Sequence, residues 1–219
     1  DAGTLRRAWQ RVADRHGVLR TAFARRTTGE AVQVVLRGVE VPFEEHDWRT
    51  IPGDEHPRVL DAFLAADRAR GFDLASAPAM RVSLLRAGDE DWHLVWSHHH
   101  VLLDGWSVPL VLGEVFAAYA ALRDDREPGL PHARPYREYV EWLGRQDGAA
   151  AEAFWREELR GLRAPTPLAI ERGAGGERGE QGDRELAVSE EVTEALRTLA
   201  RRHRLTLNRL VQGAWALLL

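Results

Sequence analysis

The stretch from Trp92 to Ser107 restricts the fold of this chain more than any other, because it passes from strict alternation into a turn and then a helix start. Along a strand, successive side chains point to opposite faces. Trp92, Leu94, Trp96 and His98 therefore share one face, and His93, Val95, Ser97 and His99 the other. A strand continued to His100 would put that ring on the His98 face, so neighbouring histidines cannot all converge on one point. Asp104-Gly105 reads as a turn, and Ser107 as the N-cap of a helix that tolerates Pro109 in its first turn. One imidazole is thus delivered at a strand end, where a loop opens and a carboxylate lies four residues on.

The rest of the chain alternates helical and strand-like segments. Leu5, Ala8, Trp9 and Val12 recur at helical spacing up to about Arg15, and Leu60, Phe63, Leu64 and Ala65 mark a second helix before Gly71. Val32–Leu36 and Val39–Phe43 read as a hairpin or two successive strands about Arg37-Gly38. Met80–Leu85 and Trp92–Ser97 read as strands joined through Ala87-Gly88-Asp89-Glu90. The helix from Ser107 carries Leu110, Val111, Val115, Phe116, Tyr119 and Leu122, and two more are expected over Tyr136–Leu143 and Ala149–Leu159.

Residues 171–184 differ, with five glycines among charges and no apolar period, and read as a flexible connector between a first lobe (1–170) and the start of a second (185–219). Glu185–Val188 is a candidate strand. Ser189 and Thr206 are candidate caps, the first for a helix with Val192, Leu196 and Leu199, the second for one with Leu207, Leu210, Val211, Ala214 and Leu218. The final helix runs out on Trp215–Leu219 with no polar cap and the start is as abrupt, so both ends are expected to be cuts through a longer protein.

Composition excludes several classes. The chain has no cysteine, hence no disulfide framework or thiol nucleophile, which suits a cytoplasmic setting. Every basic residue is Arg, interleaved with Asp and Glu at a net charge of −4, so the basic stripe of a nucleic-acid binder is missing. There is neither an apolar run long enough for a bilayer nor a signal-peptide pattern. Most of the eight Trp are expected as core or edge anchors, with Trp106 a candidate lining of a channel.

Three readings remain open for the His98–Asp104 cluster. It could be a set of strand-end polar groups satisfied by the backbone. It could be a metal site, although neighbouring strand residues face apart and no two-histidine helical spacing such as HExxH exists. It could be an acid–base or positioning site in which one imidazole, suited to proton transfer near neutral pH, acts beside an organising Asp.

His99-His100-Val101-Leu102-Leu103-Asp104-Gly105 matches HHxxxDG and resembles the signature of the condensation domains of nonribosomal peptide synthetases, within the chloramphenicol-acetyltransferase-like acyltransferase superfamily. Arg15-His16-Gly17-Val18-Leu19-Arg20-Thr21-Ala22-Phe23 is similar to that family's RHxxLRTxF. Gly71-Phe72-Asp73-Leu74 with Pro78-Ala79-Met80-Arg81 resembles its FDL…PxxR stretch, and Tyr136–Trp142, Ala153-Phe154-Trp155, Leu205–Asn208 and Ala214-Trp215 resemble later elements in order. Glu138 stands where the family carries Asp, the family's first motif is missing, and so is nearly all of the second lobe. The Leu102–Ser107 phrase resembles the subtype that joins two L-configured partners, and the histidines set the chain apart from cyclising relatives, which carry aspartates there.

The resemblance implies a two-lobe α/β fold with a tunnel between the lobes. It also implies amide formation between thioesters on the phosphopantetheine arms of donor and acceptor carrier proteins, beside an adenylation domain and with no metal or free cofactor. It assigns His100 to the attacking amine, His99 to shaping the strand end, Asp104 to a structural salt bridge and Gly105 to the tight turn. Arg20 is the supporting arginine expected for Asp104, with Arg81 as its rival. A stand-alone CoA-dependent acyltransferase and a non-catalytic docking fragment are the alternatives.

Overall fold

The computed structural model describes residues 1–164, 166 and 185–219; the connector expected at 171–184 lies outside them. The described residues divide into two compact units, Asp1–Gln146 and Asp147–Leu219.

In the first unit, α1 (Ala2–Arg15) is capped by the Asp1 carboxylate, which accepts the Thr4 N–H at 2.7 Å. Its Ala8, Trp9 and Val12 are buried, as the spacing predicted, with Ala13 buried beside them and Leu5 half-buried. Two strands follow, β1 (Thr21–Arg25) and β2 (Ala31–Val35), paired antiparallel. Next come β3 (Phe43–Asp47), α2 (His56–Arg70), β4 (Met80–Arg86) and β5 (Trp92–His98). These three strands form a second sheet in the order β3-β4-β5, with β3 parallel and β5 antiparallel to β4. The crossover between the parallel strands is α2, as such a connection requires. Then α3 (Ser107–Arg123) packs beside α1, and α4 (Tyr136–Leu143) closes the unit.

Alternation divides the sheet's residues between two faces. Met80, Val82 and Leu84 join Trp9, Val12, Leu102, Leu103, Val111 and Val115 in one core, on the α1–α3 side. Trp96 reaches the same side, its ring 4.9 Å from that of Trp9. Arg81 and Ser83, also buried, face the other way, where Arg81 meets α2. α2 ends at Gly71, whose φ of 58° lies in the left-handed region that glycine enters without a Cβ clash.

Two strand expectations fail for non-local reasons. The strand at 31–35 exists, but its partner is β1, so the expected hairpin about Arg37-Gly38 does not form. Val39 and Val41 are buried without strand pairing, because the Gln10 side chain takes their backbone groups. It donates to Val39 O at 2.9 Å and accepts from Val41 N at 3.0 Å. The actual β3 begins at Phe43 and runs through Glu44, Glu45, His46 and Asp47, an edge strand too polar to announce itself.

The second unit contains α5 (Gly148–Glu158), α6 (Glu190–Arg202) and α7 (Leu207–Leu218), the last two in contact. Ser189 and Thr206 cap α6 and α7, accepting from Val192 N at 3.3 Å and Arg209 N at 3.2 Å. Glu185–Val188 is not a strand: the segment is exposed and no described strand lies beside it to pair with. Among the described residues, no helix is long and apolar enough to cross a membrane.

Candidate functional site

The site is built where β5 stops. The His99 N–H donates to Ala79 O at 2.9 Å, the last tie to the neighbouring chain segment, and Leu102 N–H then donates back to His99 O at 3.0 Å. That turn is held further by the His99 ring, whose Nδ1 accepts the Val101 N–H at 3.1 Å. Leu102 and Leu103 are buried in the core, so the turn is anchored from beneath while His100 is exposed at its start. Among the described residues no hydrogen bond engages the His100 ring, which leaves both its nitrogens available.

Asp104 starts the next helix. Its Oδ1 accepts the Ser107 N–H at 2.8 Å and the Ser107 hydroxyl at 2.6 Å, and these bonds hold its carboxyl below the usual carboxylate range. Ser107 is thus the first helical residue rather than the cap; the N-cap position is Trp106, which makes no side-chain capping bond, and the Asp104 carboxylate, two residues before that position, takes the Ser107 N–H. The expected salt bridge between Asp104 and an arginine is absent among the described residues, because both candidates are committed elsewhere. Arg20 donates to the carbonyls of Ala13 (3.0 Å), Asp14 (3.1 Å) and Leu36, tying the end of α1 to the end of β2. Arg81 is bound to Asp67. Gly105 is not in the left-handed region, and a Cβ there would meet nothing within 4 Å, so the turn itself does not require glycine.

The other matched segments gather around this strand end. Arg15 Nε and His16 Nε2 both reach Glu114 Oε2 of α3, at 3.0 and 2.6 Å, joining the Arg15–Phe23 segment to the helix that Asp104 starts. Phe23 N–H donates to Leu74 O at 2.7 Å, joining it also to the Phe72–Leu74 segment.

A cleft of about 450 Å³ opens between α2 and the end of β5. Asp67, Arg68, Phe72 and Arg81 border it from one side, and His98, His99 and His100 from the other. Simple alternation would have separated these histidines; they share a cleft because the strand ends at His98 and the chain turns. Alternation places His98 on the Trp96 face but gives it no role of its own. Its ring packs at a tilt against that of Trp96, centroids 4.6 Å apart, and burial, followed by the charges of His100 and His99, pushes its pKa below the ordinary imidazole value. The signal available was the Trp96-x-His98 spacing on a face whose other members are apolar. Trp106, by contrast, stands 86% exposed. Among the described residues no group of three or more His, Asp or Glu is placed to hold a metal ion.

The family model of the condensation domain matches residues 1–219, and the chain belongs to that family. Among curated relatives, one linear gramicidin synthase protein of Brevibacillus parabrevis is 44% identical over 220 residues, which take in 100% of this chain and 4% of that protein. Chondramide synthase cmdD of Chondromyces crocatus is 42% identical over 100% of this chain and 6% of that protein. Among solved structures, the SgcC5 protein of Streptomyces globisporus superposes with a TM-score of 0.79 at 25% identity, over 100% of this chain and 50% of that one. The starter condensation domain of rhizomide synthetase RzmA shares the fold, with a TM-score of 0.66 at 19% identity over 75% of this chain and 40% of that one. The chain therefore spans a small fraction of its curated relatives, and half of the SgcC5 chain.

Proposed function

We propose that this chain serves amide-bond formation between a donor acyl or peptidyl thioester and an acceptor aminoacyl thioester, each on the phosphopantetheine arm of a carrier protein. Support comes above all from its membership of the condensation-domain family over its whole length, with the HHxxxDG segment at a strand end that opens on a cleft. The donor and acceptor carrier proteins, and an adenylation domain in the same cytoplasmic synthetase, are the partners this reading implies. The first lobe would run to residue 170 and the second begin at 185.

The amine nitrogen attacks the thioester carbonyl carbon, the new C–N bond gives a tetrahedral intermediate whose collapse breaks the C–S bond, and the amine's proton passes to the departing thiolate. An α-amine has a pKa of about 7.7–8.0, so freeing its lone pair at pH 7 costs only about 1.4 kcal/mol. The thioester is already activated. Most of the acceleration therefore comes from holding the two arms together and from stabilising the tetrahedral intermediate. His100, exposed at the turn with an unengaged ring, is suited to hydrogen-bond the amine and relay its proton. His99, with Nδ1 occupied by the Val101 N–H, is suited to shaping the turn. Asp104 and Gly105 act through the start of α3, and Arg20 through the backbone it binds.

The test is formation of dipeptidyl thioester by the full-length parent with loaded carrier proteins. His100→Ala is expected to lower turnover by roughly 10²-fold, the range for one acid–base group, and His99→Ala by less. A folded His99→Ala protein worse than His100→Ala would reverse the roles. Turnover on CoA thioesters without carriers would replace the reading with a CoA-dependent acyltransferase.

A further inference from the structure

We infer that Asp67, on the last turns of α2, is a positioning residue for the histidine-bearing strand end and acts through Ser97; the inference rests on the function proposed above. Asp67 is buried, yet it carries a full charge, and each of its oxygens has a separate task. Oδ1 accepts Arg81 Nε at 2.5 Å and Arg70 NH2 at 3.2 Å; Oδ2 accepts the Ser97 hydroxyl at 2.5 Å. Burial alone would raise its pKa, but the bonds from Arg81 and Ser97 outweigh that and keep it ionised.

Arg81 is fixed in turn. Its NH2 donates to Asp67 O at 2.5 Å, its NH1 to Gly71 O at 2.8 Å, and its guanidinium lies 4.3 Å over the Phe72 ring. Arg81 and Ser97 are cross-strand partners in the β4–β5 register. One carboxylate thus ties α2 to two adjacent strands at the rung that immediately precedes His98, His99 and His100.

Its position argues for aim rather than for stability alone. A buried ion pair gains little over well-packed apolar side chains, because desolvating both charges offsets most of their attraction. What the Asp67–Ser97 bond adds is direction: it holds the last but one rung of β5 at a defined distance from α2, across the cleft that the histidines border. Past Ser97 the histidine segment is held by the pairing of His98 with Met80, by His99 N–H to Ala79 O, by Leu102 and Leu103 in the core beneath, and by its own turn. A displacement of about 1 Å at a reacting group costs on the order of 10²-fold in rate, so a modest loosening there would be read in turnover before it is read in stability.

Ser97→Ala in the full-length parent removes the tether and leaves the Asp67–Arg81 pair in place. With loaded carriers, kcat is expected to fall about tenfold while KM for the acceptor carrier changes less than about twofold, a split that positioning predicts. Ser97→Thr, which keeps the hydroxyl, should restore most of kcat. Alongside, diethyl pyrocarbonate modification followed by mass spectrometry should show His99 and His100 reacting several-fold faster in Ser97→Ala, with His56 unchanged. Unaltered kcat and unaltered modification rates in Ser97→Ala, or a Ser97→Thr protein no better than Ser97→Ala, would overturn the inference. A wild-type parent that forms no amide with loaded carriers would instead remove the proposed function, and the modification rates would still decide the tether.

Discussion

Trp9 is the residue whose truncation should do most damage for a calculable reason. It is completely buried on α1, with its ring against Trp96, against which His98 in turn packs. A buried aromatic side chain removes about 150–250 Å² from water, and truncating one to Ala typically costs about 3–5 kcal/mol, cavity included. One contribution runs the other way. The Trp9 indole N–H is buried without a partner among the described residues, a deficit of about 1–3 kcal/mol that truncation relieves. With that relief at its lower end, about 1 kcal/mol, the net expectation for Trp9→Ala is a loss of roughly 2–4 kcal/mol. Trp9→Phe keeps most of the ring area and also discards the orphaned N–H, so it should lie within about 1 kcal/mol of wild type. Urea unfolding followed by far-UV circular dichroism separates the two, provided the slope with denaturant is unchanged. A loss below about 1 kcal/mol for Trp9→Ala, or a Trp9→Phe as damaging as Trp9→Ala, would refute the reasoning.

Other consequences are more local. His98 has a depressed folded-state pKa, so an unfolded chain takes up its proton first; stability present above about pH 6.5 should decline as pH falls through the folded-state value, and His98→Gln should flatten that part of the melting-temperature profile. Asp104→Ala should lower the melting temperature by freeing the start of α3, and Ser107→Ala should reproduce part of the loss, whereas Asp104→Asn, which keeps an acceptor oxygen, should reproduce less than Asp104→Ala. Gly105→Ala should leave the fold intact or slightly stabilised, by up to about 1 kcal/mol in urea unfolding, since neither φ nor space forbids a methyl group there.

Local chemistry was legible and pairing was not. The helices at 2–15, 107–123, 190–202 and 207–218 follow from apolar spacing, and the Ser189 and Thr206 caps from residue type, because all of that information lies within a few residues. β4 and β5 were legible for the same reason. β1 starts within the Arg15–Phe23 segment and runs on to Arg25, and β3 covers Phe43–Asp47; both were hidden, because a strand exists only through a partner distant in the sequence. The Asp104 partner was misread in a related way. Two arginines in distant matched segments do not say which of them is free to pair, and here the packing of α2 takes Arg81 while three carbonyls take Arg20.

The histidine segment shows why a short pattern can be recognised and still leave its aim undetermined. Its internal bonds span few residues: His99 Nδ1 to Val101 N–H, Leu102 N–H to His99 O, Asp104 to Ser107. Such a segment makes its own turn wherever it is placed, which is why seven residues suffice to point to a site. Where that turn sits is decided elsewhere, by Leu102 and Leu103 in the core, by Trp96 between Trp9 and His98, and by Asp67 across the cleft. None of these belongs to the histidine and aspartate positions that define the pattern. Proton transfer and amine positioning depend on placement to within a fraction of an ångström, so the chemistry assigned to His100 rests as much on the buried carboxylate of α2 and the paired tryptophans as on the imidazole itself.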